Sequence, residues 1–66
     1  MTIQDAINTI RSMRDVRADQ EERYLTMYTS EMDDMVSDML WDKYIAYSAM
    51  RITLDDVLRV LDEVDR

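Results

Sequence analysis

Apolar residues recur every three or four positions along almost the whole chain, the period of an α-helix and not of a strand. Ile3, Ala6, Ile7, Ile10 and Met13 line one face of a first helix, expected over about 3–17. Thr2, with Asp5 three residues on, makes a start signal close to a capping box. Arg11, Arg14 and Arg17 gather near its far end, where cations suit the helix dipole.

Asp19 and Glu22 offer a second capping pair, and from there the apolar pattern runs long. Tyr24, Leu25, Tyr28, Met32, Met35, Val36, Met39, Leu40, Tyr47 and Met50 share one side. An unbroken helix over 20–50 would be roughly 45 Å long at ~1.5 Å per residue, long for so small a domain. Ser30 followed by Asp33 is another possible cap, so the middle helix either runs through or breaks near Thr29 and Ser30. Thr53 and Asp56 form a last cap pair, with Ile52 and Val57 spaced for a hydrophobic staple. Leu54, Val57, Leu58, Leu61 and Val64 give the final helix its apolar face, and Asp55–Arg59 and Asp62–Arg66 are acid-first pairs four apart. The pattern predicts one all-α domain over residues 1–66, a small three-helix bundle, or four helices if the middle one breaks near Ser30. The likeness of Thr2–Ile7 to Thr53–Leu58 is that of two ordinary helix starts, and no sustained heptad pattern establishes a coiled coil.

Composition sharpens this picture. The 66 residues include no glycine and no proline, so tight hairpin turns are poorly served and nothing breaks a helix by force. The core is small, since below about 70–80 residues one core rarely supplies more than ~3–5 kcal/mol. Without cysteine, neither a disulfide nor a thiolate-bound metal can staple it, which leaves helix packing, self-association or a partner. The first residues have no basic start and no long apolar run, and no stretch approaches the ~20 apolar residues of a membrane span. The expectation is a soluble cytoplasmic protein, with no membrane partner.

Candidate chemistry is sparse. With no histidine, cysteine or glycine, the commonest general base, the thiol nucleophile, the usual zinc ligands and the phosphate-cradling loops are all missing. Asp33 and Asp34 are adjacent and point apart on a helix, and the chain is too short to build a cleft around them. No EF-hand ligand series is present. An enzyme is not expected, nor any catalytic residue, cofactor or metal.

Charge is the informative feature. The chain carries −7, and the segment Asp19–Asp42, with eight carboxylates and one arginine, carries essentially all of it. Glu31, Asp34, Asp38 and Asp42 fall three or four apart and would form one stripe on a helix, beside an inward face of Met32, Met35, Val36, Met39 and Leu40. Residues four apart rise about 6 Å along a helix, on the scale of neighbouring phosphates in one nucleic-acid strand, and Asp holds its charge close to the backbone. Such a stripe is most often a solvated face, yet this one lacks the interleaved lysines of a surface built only for solubility. Met27, Trp41 and Ile45 project away from the main apolar face, and Trp41, the only tryptophan, is of a type enriched at interface anchors. Burial between flanking helices near residues 41–50 is the ordinary alternative for Trp41 and Ile45. Methionines at 32, 35 and 39 suggest a core or a helix–helix seam, within one chain or between two copies in a homodimer.

Small size, an uncompensated acidic helix over Glu31–Asp42 and missing catalytic residues together resemble the small acidic inhibitors made by phages and mobile elements, of the anti-CRISPR and anti-restriction type. That resemblance implies a protein that binds the basic surface of a larger nucleic-acid-binding protein or complex and blocks it, by DNA mimicry or otherwise. Direct binding of nucleic acid is disfavoured by the acidity. Glu31, Asp34, Asp38, Trp41 and Asp42 are the expected partner-binding residues. The alternative is a non-enzymatic helical adaptor, or a regulatory or self-assembling protein, acting through its apolar Met/Trp surface.

Overall fold

A computed structural model describes residues 2–64 and is all-helical there. It consists of two long helices, α1 (Ile3–Ser30) and α2 (Asp34–Val64), folded back on each other. The hairpin measures 49 × 14 × 14 Å.

The start of α1 follows the sequence signal. Thr2 Oγ1 accepts a hydrogen bond from the Asp5 backbone N–H at 3.1 Å, and Asp5 Oδ2 accepts one from the Thr2 N–H at 3.1 Å, the reciprocal capping box. The expected end at residue 17 is absent. Asp19 does not cap a new helix; its carboxylate pairs with Arg23 at 3.0 Å, one turn further along the same helix. With no glycine or proline and no stronger local alternative, the helix runs on.

The break falls one residue past Ser30 and is built by two acids. Glu31 leaves α1 in an extended conformation (φ −84°, ψ 135°) while its N–H still reaches the Tyr28 carbonyl. Its Oε1 accepts from the N–H groups of Met32 and Asp33 at 3.0 and 2.9 Å. Asp33 then caps α2, its Oδ1 accepting from the N–H groups of Met35 and Val36 at 2.9 and 3.1 Å. Leaving the helix through an extended residue avoids the left-handed conformation that normally calls for glycine, and no described residue has a positive φ. Asp33→Ala is expected to cost about 1 kcal/mol, the usual worth of an N-cap, read as a lower urea midpoint at unchanged slope.

The fold therefore has two helices, and not the three or four expected. Thr53 begins no helix. It lies inside α2, where its hydroxyl donates to the Ala49 carbonyl at 2.9 Å, an arrangement a helix interior tolerates. Asp55 pairs across the hairpin with Arg14 and along its own helix with Arg51, while Arg59 pairs with Asp56. Arg66, expected to pair with Asp62, lies outside the described residues.

Most of the residues that turn inward follow a three-four spacing, with Ala6, Ala18, Gln20, Ser48 and Asp55 half-buried at its edges. On α1 they are Ile7, Ile10, Arg14, Arg17, Glu21, Tyr24 and Tyr28; on α2, Ser37, Leu40, Tyr44, Tyr47, Arg51, Leu54, Leu58 and Leu61, all buried or half-buried. This is a heptad seam, hidden in the sequence because charges occupy its middle. From the loop outward it passes through three zones. The first is aromatic: Trp41 lies between Tyr28 and Tyr44 with ring centroids 5.1 and 5.2 Å away, and Tyr24 stacks on Tyr47 at 5.3 Å. The second is ionic: Arg51 pairs with Glu21 at 2.9 Å and Asp55 at 3.0 Å, and Arg14 reaches Asp55 at 3.3 Å. The third, at the open end, is aliphatic and contains Ile7, the one described hydrophobic residue that is buried and not merely half-buried.

Candidate functional site

The loop end of the hairpin carries the candidate surface. Asp33 sets where α2 begins, and that register places Asp34, Asp38 and Asp42 in successive turns, all exposed. At about 1.5 Å per residue the row is roughly 12 Å long. No ion pair within the described residues involves any of the three. The neighbouring acids are differently placed: Asp19 is matched by Arg23 and Glu21 by Arg51. The arginines of α1 do not reach the row. Arg14 binds Asp15 and Asp55, and Arg17 donates to Gln20 Oε1 at 2.9 Å with its guanidinium 5.8 Å from the Tyr47 ring centre.

Glu31 does not extend the row. It precedes α2, and its carboxylate is turned onto the loop N–H groups. Trp41 lies one residue before Asp42 and is only half free, since its ring packs on Tyr28 and Tyr44 while 42% of the residue remains exposed. Its ring thus packs the loop end and leaves one edge exposed. Ile45, one turn on, is also exposed. Of the five expected partner-binding residues, Asp34, Asp38, Trp41 and Asp42 fall on one stretch of α2, and Glu31 belongs to the loop.

The expected inward face near the loop divides. Leu40 joins the seam, whereas Met32, Met35 and Met39 are 95, 75 and 61% exposed and Val36 is exposed as well. Met50, Val57, Val60 and Val64 are likewise exposed. This unpartnered apolar surface is the feature that periodicity misplaced. Its signal lay in the sequence as a second three-four series on α2, running parallel to the first.

Arg14 and Arg51 have their pKa values raised above the ordinary arginine range, Arg14 by its hydrogen bonds to Asp15 and then Asp55, Arg51 chiefly by that to Glu21. A folded-state value above the unfolded one means that the stabilisation is complete below the ordinary arginine value and fades only in stronger alkali. The ionic zone is thus constant on the arginine side at any physiological pH. The hollows on the surface are shallow; one lies along α1 among Asp19, Glu22, Arg23, Thr26 and Met27. No group of three or more described acids is arranged to hold a metal ion, and no described helix is long and apolar enough to cross a membrane.

The fold and surface define an acidic α-helical hairpin with a charged seam and an exposed apolar side. No protein-family model, curated protein or solved structure matches the chain.

Proposed function

We propose that this protein is a non-catalytic inhibitor that binds the basic surface of a nucleic-acid-handling protein or complex in the cytoplasm and denies that surface to DNA or RNA. The observation that carries the proposal is the row Asp34, Asp38 and Asp42: three exposed carboxylates in successive turns of one helix, with no cation among the described residues paired to them. A row of this kind presents a phosphate-like field to a basic groove, and Trp41 beside it supplies an apolar edge. In character this is the action of an anti-CRISPR or anti-restriction protein.

The test is capture from nuclease-treated host lysate on the immobilised protein, with mass spectrometry of what is retained. A nucleic-acid enzyme or effector that elevated salt releases and duplex DNA displaces is the expected result. Retention indifferent to both salt and DNA would overturn the electrostatic mechanism.

The exposed hydrophobic residues of α2 favour a second reading: a helical interaction protein whose apolar side is the working surface and whose acids maintain solubility. Under it, association resists salt, because burial of apolar area is insensitive to screening.

A further inference from the structure

The apolar side of the hairpin has a chemical boundary. Val36, Met39, Met50, Val57, Val60 and Val64 follow a three-four spacing on α2, parallel to the buried seam and turned roughly 100° from it, and all six are exposed. On α1 the corresponding positions hold Ala6, Met13, Val16 and Met27. In an antiparallel pair the two series emerge on the same side, and Met13, Met50 and Thr53 line one groove between the helices. Not one carboxylate of either helix occupies these two series; their only charges are Arg23 and Lys43.

We propose that this carboxylate-free face is where a second copy of the chain docks, giving a two-fold dimer with four helices. The proposal deepens the interaction reading above and does not depend on the acidic row. Three observations select a copy as the occupant. A chain of charge −7 meets its own like only where its carboxylates are absent, and this is that face; a basic partner would be drawn to the other side. The area also fits. The hairpin exposes 5048 Å², whereas a compact monomer of 7.9 kDa exposes about 4,400 Å². The excess of roughly 600 Å² approaches the ~800 Å² that each partner contributes to a standard interface. Finally, a hairpin with no fully buried described side chain, Ile7 at 5% exposure coming nearest, gains from further burial wherever it folds, and a copy of itself is always at hand. Docking on this face leaves Asp34, Asp38 and Asp42 of both copies at the outer surface.

Sedimentation equilibrium across the micromolar range tests it. The expected mass is twice the 7.9 kDa of one chain, falling to one chain in the variant Met50→Glu with Val57→Glu. Because that variant could also unfold, a milder probe accompanies it. Thr53→Cys should be alkylated about tenfold or more slowly where the mass is doubled than on dilution, whereas Asp56→Cys, on the acidic side, reacts at one rate throughout. A one-chain mass for the native protein at every concentration overturns the proposal, as does a doubled mass with Thr53→Cys unprotected. If the native chain stays monomeric yet captures a salt-resistant partner that the double glutamate variant loses, self-docking is overturned while the interaction reading survives with another occupant.

Discussion

Asp34→Lys together with Asp38→Lys is expected to weaken binding to the captured partner by about 100-fold in physiological salt while leaving the hairpin folded. Each exchange turns an attraction into a repulsion. A pair of unit charges 4 Å apart is worth about 1 kcal/mol in water, so two reversals shift binding by roughly 4 kcal/mol before screening and about 100-fold after it. The fold should tolerate the change because neither side chain touches the seam or has an ion-pair partner in the described structure. Asp34 opens α2, where a carboxylate favours the helix dipole by about 0.3–1 kcal/mol, so a small fall in Tm is the only structural effect foreseen. Titration calorimetry of native and variant protein against the partner, beside thermal melts of both, provides the check. A folded double variant that binds as the native chain does removes the acidic row from the mechanism.

The largest effect on stability is expected from Ile7→Ala. Ile7 is 5% exposed, near the open end of the hairpin. Truncating a buried isoleucine to alanine costs about 2–5 kcal/mol, most of what a core this small supplies. A fall in Tm of 10 °C or more should follow, since 1 kcal/mol corresponds to roughly 4–8 °C in a domain of about this size. Met32→Ala is the contrast. The residue is as apolar, but 95% exposed in the loop, and substitution there should change stability by less than about 0.5 kcal/mol. Circular dichroism melts of the two variants decide it: equal effects would mean that Ile7 does not anchor the seam.

Much of the local structure was legible in the sequence because it is held by groups close together in the chain. The Thr2–Asp5 box needs only residues three apart, and it forms as the pattern predicts. The break after Ser30 was legible only as one of two readings, and the capping acid is Asp33, supported by Glu31, while Ser30 instead donates its hydroxyl to the Thr26 carbonyl. The Asp19 and Thr53 signals were as strong locally and produced no boundary. A cap residue permits a helix start without compelling one, and at both sites the flanking residues propagate the helix.

The candidate site was legible where it rests on spacing within one helix. Asp34, Asp38 and Asp42 needed only a continuous α2 to become a row. Glu31 left it because the helix boundary falls between them, a matter of one turn. Trp41 and the methionines depended on what lies opposite. Leu40 and Met39 are neighbours in sequence and nearly alike in hydrophobicity, yet one joins the seam and the other faces outward.

The sequence by itself determined that this protein is helical, where its first helix starts and that its negative charge concentrates in one segment, because each depends on residues close together in the chain; it offered the break near Ser30 only as one of two readings, beside boundaries near 18 and 52 that do not form. Only the tertiary structure decided which apolar series pairs inside the hairpin and which is left exposed. The two series on α2 have the same period, so no local rule ranks them. The choice rests on complementarity between residues far apart in the chain, Tyr24 with Tyr47, Glu21 with Arg51 and Arg14 with Asp55. Those partners become neighbours only when the helices fold together.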